Sequence, residues 1–250
     1  MTVTNAVLSH RSRRGMVGQL STALWDQLRA ACSEIRTMGP RATLSEAGEP
    51  LDQSALLIDG ITARYVRGAV NGSFCRAMVS IQVPGDFVDL HGLPMKVLDH
   101  DVVTLTNARI AMFPHTALER IIETSNEQAR ALWRLTMIDA SIHRHWLFRT
   151  SRMRALASIA DFFCEMHERL RHADEIDGAR VPLPLLQSDL AEITGLSTVH
   201  VSRVIRELRE SGLCTVSEGE VEIHDPDRLH KLVSYDPSYL YLPDNGVGAA

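Results

Sequence analysis

The stretch that decides the fold runs from Gln187 to Leu213 and reads QSDLAEITGLSTVHVSRVIRELRESGL. A helix-turn-helix needs a small residue where its two helices cross, here Ala191, and a turn residue that tolerates positive φ, here Gly195. Val201 and Val204 recur at helical spacing and predict the face of the second helix that packs on the core. Thr194 departs from the pattern, since an aliphatic residue is commoner there. The spacing predicts a helix-turn-helix.

The flanking residues extend this motif into a winged helix. Val181–Pro184 carries two prolines and is therefore expected to be extended. Leu213–Ile223 is typical of a hairpin, and Asp225-Pro226 is typical of the start of a final short helix.

Further upstream, residues from about Leu51 to Pro114 alternate short β-prone runs with turn signals. Asn71-Gly72 favours a type I′ hairpin turn, in which both central residues have positive φ. Evenly spaced short strands of this kind predict a small barrel or roll.

Between these regions no glycine or proline occurs from Ala117 to Asp177, and apolar residues recur at helical spacing. The pattern predicts a long helix that starts at Ser125 or Asn126, a hinge at Arg149–Arg152, and a second helix from Met153 to Leu170. In the long helix the spacing of three and four is typical of a coiled-coil seam at Leu135, Ile138, Ile142 and His145. Packing on its own domain is the alternative, but a small roll covers less apolar surface than this helix presents, so a dimer is favoured.

Composition restricts the class of protein. The 250 residues carry a net charge of −5 and contain no apolar run long enough to span a membrane. The polar N-terminus lacks the apolar core of a signal peptide, which predicts a cytoplasmic protein. Residues 1–18 are expected to be disordered, and residues 243–250 are expected to form a C-terminal tail. The cysteines, Cys32, Cys75, Cys164 and Cys214, form no C-x-x-C pair, so no zinc or iron–sulfur cofactor is expected.

Charge also limits how the helix-turn-helix would bind nucleic acid. From Ser151 to Ala250 there are 10 Lys and Arg against 17 Asp and Glu, so a pervasively basic surface is absent. Any DNA contact must therefore come from a small local patch. Arg203 is expected to contact DNA. Arg206 and Arg209 alternate with Glu207 and Glu210, so ion pairing at the solvated surface of the helix is an alternative explanation for these two arginines.

Together, a β-roll, a long helix, a hinge and a winged helix resemble the Crp–Fnr superfamily of bacterial transcription regulators, from about Leu20 to Leu242. The turn Pro84–Leu90 and the segments Leu183–Ala191 and Gly195–Arg203 carry the resemblance. It implies an α+β fold with a cyclic-nucleotide-binding-like jelly roll at residues 19–124, a dimerisation helix and hinge at 125–150, and a winged-helix DNA-binding domain at 151–242. It further implies a homodimer on near-palindromic double-stranded DNA, contact with RNA polymerase, and no enzyme activity.

The resemblance leaves the effector open. Family members that bind cyclic nucleotides carry Gly-Glu where this chain has Asp89-Leu90, and an arginine before a small pair that is missing between His91 and Val103. We therefore expect no cyclic AMP binding. Cys32 stands alone, so the iron–sulfur sensors of the family are not matched. Cys75, His91 and His100 leave haem as a minor alternative, and constitutive activity without a ligand is another.

The second helix of the motif also departs from the family. Val199 replaces a common Glu that accepts from cytosine N4. Valine cannot accept, although it can touch a thymine methyl, so the half-site is expected to differ from the family's commonest one. Leu186 replaces the usual Ser or Thr cap of the first helix. The candidate DNA-binding residues are Ser188, Ser197, Thr198, Val199, His200, Ser202, Arg203 and Arg206.

A second class of function is a metal-dependent roll enzyme of the cupin type. It would use His91, His100 and His115, but these form no His-x-His pair and have no carboxylate at ligand spacing.

Overall fold

The computed structural model describes Leu8 and residues 12–176, 178–217 and 219–242. Contacts between residues divide them into two units. The first comprises residues up to 76 together with 80–140, and the second comprises 77–79 together with 141–242. Strands dominate the first unit and helices the second, which gives the predicted α+β fold.

The strands of the roll form two sheets. In chain order they are β1 (Glu34–Met38), β2 (Thr43–Ser45), β3 (Gln53–Asp59), β4 (Thr62–Val70), β5 (Ser73–Gln82), β6 (Asp101–Thr104) and β7 (Ala108–Pro114). One sheet has the order β1-β7-β3 and the other the order β2-β6-β4-β5. Strands distant in sequence are thus neighbours, as in a jelly roll.

The core of this unit explains why these segments are strands. Apolar side chains from β3, β6 and β7 are fully buried together, among them Ala55, Leu57, Val102 and Ile110. Asn71 and Gly72 have φ of +52° and +78°, so the predicted type I′ hairpin signal is confirmed.

The helices that lie wholly within the first unit are α1 (Thr22–Ala31), α2 (Gly92–Met95) and α3 (His115–Thr124). A 3₁₀ helix, Gly15–Gln19, precedes them, and the Val17 N–H donates to the Gly85 carbonyl at 3.2 Å. Met16 and Val17 are buried. The prediction of disorder over residues 1–18 is therefore wrong for this helix, because its apolar side chains are buried. Residues 1–7 and 9–11 of that prediction, and the predicted tail at 243–250, lie outside the described residues.

The long helix, α4, runs without interruption over Asn126–Arg152, and α5 follows over Ala155–His172. The break falls at Met153 and Arg154, so the predicted hinge, Arg149–Arg152, is the last turn of α4 and the helix does not break there. The domain boundary was predicted at residue 150, whereas the division of contacts falls inside α4, after Ala140. No helix among the described residues is long and apolar enough to cross a membrane.

The second unit is a winged helix. Its remaining elements are β8 (Arg180–Pro182), α6 (Gln187–Thr194), α7 (Thr198–Glu210), β9 (Cys214–Ser217), β10 (Glu220–Ile223), α8 (Pro226–Val233) and a 3₁₀ helix, Pro237–Leu240. The three strands form one sheet in the order β8-β10-β9. The predicted extended segment, hairpin and final helix thus fall in these elements.

Candidate nucleic-acid interface

The turn between α6 and α7 has the geometry that the sequence predicts. Gly195 lies at φ +68°, and its N–H donates to the Ala191 carbonyl, as does that of Leu196 at 3.1 Å. Thr194 is buried, but its hydroxyl donates to the Leu190 carbonyl at 2.6 Å. This internal hydrogen bond explains why a polar residue is tolerated where an aliphatic one is commoner.

The start of α6 is capped without a hydroxyl. Leu186 is the N-cap residue and offers no side-chain acceptor. Asp189, three residues on, instead accepts a hydrogen bond from the Leu186 N–H at 2.9 Å. This is one half of a capping box, and it places a carboxylate in the first turn, where the helix dipole favours it.

The second helix, α7, has two distinct faces. Ser197 caps it by accepting from the His200 N–H at 3.3 Å. Val201, Val204 and Leu208 are buried. A rotation of 100° per residue puts Val199, Arg203 and Arg206 on the opposite side, and all three are exposed. The helix is therefore anchored by one row while the other faces solvent.

The structure places all the predicted DNA-binding residues in the second unit, at or near the N-terminal ends of α6 and α7 and along α7. Ser188, Ser197, Thr198, Val199, His200, Arg203 and Arg206 are exposed, and Ser202 is half-buried. Arg206 and Arg209 make no ion pair among the described residues, so the pairing expected with Glu207 and Glu210 is not seen there. With respect to the described residues, the guanidinium groups of Arg206 and Arg209 are exposed and have no carboxylate partner.

Sequence reasoning missed the charge of the wing. The hairpin from Cys214 to Ile223 has no Lys or Arg, and its glutamates include Glu220 and Glu222. Both of these lie near the Arg180 guanidinium, at 3.7 and 3.4 Å. The cation of β8 is thus paired with the wing, whereas Arg203, Arg206 and Arg209 of α7 are exposed.

The residues predicted to form a dimer seam lie on a different face from the exposed one. Leu135, Ile138 and Ile142 are buried within the single chain, with Ile138 only 2% exposed. His145 Nε2 lies 2.8 Å from Asp161 Oδ2, and its ring stacks on Tyr239. This row is thus engaged inside one chain, so the seam that sequence periodicity predicts at these residues is not available to a partner.

A second row of the same helix is open. Trp133 is 64% exposed, Met137 48% and Leu147 69%, and Phe148 beside Leu147 is also exposed. With Ala140 and Arg144, these positions again step by four and three. The exposed row is the one with apolar surface left for a second molecule.

The roll holds an unexpected buried arginine. Arg64, on β4, donates Nε–H to the Val88 carbonyl at 2.8 Å, and its NH1 group bonds both carboxylate oxygens of Asp139 on α4, at 3.0 and 2.7 Å. The sequence pattern did not predict this pair, because the arginine of the cyclic-nucleotide binders is expected between His91 and Val103. The guanidinium is already committed to protein acceptors.

The position that departs from the cyclic-nucleotide binders is buried. Asp89 accepts from the Ala55 N–H at 2.7 Å, and burial raises the pKa of Asp89 to about 7, although the Ala55 N–H and Arg64 act in the opposite direction. A side chain here fills space that glycine would leave open. A negative charge there would also repel a phosphate.

Two of the three candidate histidines of the roll lie close together. The rings of His91 and His100 lie 5.1 Å apart, and burial, followed by the charge of Arg64, lowers the pKa of His91 to about 4. His115 instead pairs with the Ser54 hydroxyl at 3.2 Å. No group of three or more possible metal ligands occurs in residues 12–176, 178–217 and 219–242. The cupin-type alternative is not supported.

A cavity of about 380 Å³ lies in the first unit. Its lining is mainly apolar and includes Leu93, Ile122, Leu132 and Trp133. Lys96 is its cation, and the ammonium group pairs with Glu119 at 2.8 Å. This lining does not offer the set of hydrogen-bond donors that a cyclic phosphate requires.

Comparison with known proteins identifies the DNA-binding domain and similar regulators. Residues 157–232 match the model of the Crp-like helix-turn-helix domain. The transcriptional activatory protein AadR of Rhodopseudomonas palustris is 23% identical over 90% of this chain and 92% of its own length. The nitrogen fixation regulation protein FixK of Bradyrhizobium diazoefficiens is 26% identical over 64% of this chain and 66% of its own length. Residues 157–232 thus form a Crp-like helix-turn-helix domain, and most of the chain is similar to transcription regulators of the Crp–Fnr type.

Solved structures of other proteins share the fold of this chain. FixK2 from Bradyrhizobium japonicum aligns with a TM-score of 0.71 and 19% identity, over 80% of this chain and 96% of its own. TTHB099, a CRP-family transcriptional regulator from Thermus thermophilus, aligns with a TM-score of 0.64 and 16% identity, over the same shares. The expected cyclic-nucleotide-binding-like roll and the winged helix-turn-helix are confirmed as the fold.

Proposed function

We propose that this protein is a homodimeric transcription regulator that binds double-stranded DNA through the outward face of α7. The observation that carries the proposal is the row of Val199, Arg203 and Arg206, which is exposed and lies directly opposite the buried Val201 and Leu208. A helix held in this way fits the major groove with its N-terminal residues at the base edges.

The charge around α7 supports recognition by a small number of contacts. The unit is acidic overall, and the wing hairpin carries glutamates without a cation of its own. Such a surface binds few phosphates, so the affinity should depend only modestly on salt concentration. Specificity then comes mainly from base contacts by residues such as Thr198, Ser202 and Arg203.

The exposed row of α4 supports assembly as a homodimer. Trp133, Met137 and Leu147 form an apolar strip at coiled-coil spacing, which a second copy of the same helix covers symmetrically. Two recognition helices related by a two-fold axis read half-sites about 34 Å apart along DNA. We therefore expect a near-palindromic site.

Regulation through the roll is proposed without a cyclic nucleotide. Asp89 is buried at the departing position and Arg64 is engaged by Asp139 and Val88, so the anion-binding groups that a cyclic phosphate requires are missing or occupied. The roll then responds to another effector, or the regulator acts constitutively. RNA polymerase is the expected protein partner, the expected compartment is the cytoplasm, and no enzyme activity is expected.

Selection of DNA from a random pool tests this function. The full-length protein should enrich one sequence with two-fold symmetry, and sedimentation should show a dimer both free and on that sequence. Addition of cyclic AMP or cyclic GMP should leave the enrichment unchanged. Failure to enrich any sequence, both alone and with cell extract added to supply an effector, would contradict the proposal.

A further inference from the structure

The centre of the outward face of α7 is occupied by an aliphatic side chain. Val199 is 61% exposed, in the first turn of the helix. At 100° per residue it lies about 180° from Leu208, the residue at the centre of the buried row. Ser202 and Arg203 lie one turn further on, on either side of the line through Val199.

The chemistry of this residue selects one base. Valine has no donor or acceptor, so it gains nothing from the amino group of cytosine or adenine or from the acceptors of guanine. Contact with these edges would strip water from polar groups and leave them unpaired. Thymine alone presents an apolar group in the major groove, the C5-methyl. We infer that Val199 reads a thymine methyl in each half-site, an inference that rests on the proposed DNA binding.

Helix geometry also fixes where this thymine lies. Residues four apart on a helix have Cβ atoms about 6 Å apart, and neighbouring bases on one strand are about 3.4 Å apart. Arg203 is four residues from Val199 and is suited to donate to guanine O6 and N7. The thymine read by Val199 should therefore lie within about two base pairs of the guanine read by Arg203.

The test replaces thymine by deoxyuridine, one symmetric pair at a time, in the site obtained by selection. This change removes the methyl and keeps every hydrogen-bonding group. For the parent protein one pair should weaken binding by about fourfold per half-site, the equivalent of one buried methyl group. Val199→Ala should lose sensitivity at that pair alone and keep it elsewhere.

Two further variants make the result specific. Leu232→Ala removes an exposed aliphatic side chain from α8 in the same unit and should keep the parent's response to deoxyuridine at every position. Val199→Glu supplies an acceptor, so selection with this variant should replace the thymine by a base pair that presents the cytosine amino group. Circular dichroism spectra of all variants should match the parent, since each changed side chain is exposed.

The outcomes separate the two proposals. If no sequence is enriched, the proposed function and this inference both fall. If a site is enriched and Val199→Ala keeps the parent's deoxyuridine profile, DNA binding stands and the thymine contact is overturned. Loss of sensitivity at one pair, within the expected distance of the guanine, supports the inference.

Discussion

Arg149 donates Nε–H to Asp161 Oδ2 at 2.7 Å, and neither side chain is accessible to solvent. The pair joins the last turn of α4 to α5 across the break at Met153 and Arg154. Glu165, one turn after Asp161, also accepts from Arg149, and it accepts from the Trp146 indole at 3.0 Å and the Tyr239 hydroxyl at 3.1 Å. The predicted hinge is thus a buried ionic joint that fixes the angle between two helices.

Breaking this joint should destabilise the protein strongly. Arg149→Met leaves Asp161 and Glu165 buried with fewer compensating donors, and such a loss costs about 3–5 kcal/mol. Urea unfolding followed by circular dichroism measures the change. Arg152→Met is the matched control, because Arg152 lies one turn away and is exposed. An equal effect of both substitutions would show that the network adds no stability.

A buried carboxyl in the roll should give a pH-dependent stability. Because the pKa of Asp89 is raised from 3.8 to about 7 in the folded protein, the unfolded chain ionises first. The contribution of Asp89 to the free energy of unfolding is fully present below pH 4. It is lost as pH rises to about 7, at up to about 1.4 kcal/mol per pH unit.

Asp89→Asn isolates this effect. The amide oxygen retains the acceptor for the Ala55 N–H and cannot ionise. The variant should gain stability relative to the parent as pH rises from 5 to 8, since every other group contributes equally to both proteins. Parallel dependence of the two melting temperatures on pH would mean that Asp89 does not titrate in this range.

The helix-turn-helix motif was predictable from the sequence, whereas the contacts made by each face of the long helix were not. Gly195, Ala191, Val201 and Val204 lie close together in sequence, and each has a steric role that few other residues fill, so their spacing alone identified the motif. Seven of the eight residues proposed to contact DNA lie on the second helix of that motif or at its N-cap, and the N-terminal end of this helix is the part that reaches the bases. Ser188 lies in the first turn of the first helix.

Periodicity failed on α4 because two rows of that helix share the same spacing. It identifies a row as apolar but does not tell what covers it, and the more aliphatic row proved to be buried within the chain. Arg64 and Arg149 were missed for a related reason. Charged residues are expected at the surface, and their carboxylate partners lie far away in sequence or on another helix. In the sequence, the acidic residues Asp161 and Glu165 within an otherwise apolar helical run indicate that a buried cation pairs with them.

The two rows of α4 should respond differently to charge. Leu147→Lys places an ammonium in the exposed row of each copy, so it should dissociate the dimer and leave a folded monomer. Its melting temperature should fall only by the contribution of dimerisation, since a surface change itself costs about 0.5 kcal/mol or less. Ile138→Lys places the same charge at a buried position and should unfold the chain. Sedimentation and thermal melting together separate the cases. If Ile138→Lys is a folded monomer and Leu147→Lys is still a dimer, then the row of Leu135, Ile138 and Ile142 forms the dimer contact and the exposed row does not.

Arg203 should carry the largest share of base recognition. Its guanidinium is exposed on the face of α7 opposite the core, and it can donate two parallel hydrogen bonds to guanine O6 and N7, a contact worth about 1–3 kcal/mol of discrimination. A symmetric dimer makes the contact twice, so Arg203→Ala should weaken binding to the selected site by about 2–6 kcal/mol if the two half-sites add.

The matched control is Arg209→Ala, which removes the same charge from the last turn of the same helix. Loss of a surface charge should cost well under about 1 kcal/mol, and it should act equally on selected and random DNA. Gel-shift titrations of both variants on both DNAs, at one fixed salt concentration, make the comparison. Because Arg203→Ala removes a base contact, its affinity for random DNA should stay near that of the parent. If it instead binds the selected site as tightly as the parent, then α7 does not read bases through Arg203, and the orientation of the helix in the groove must be different.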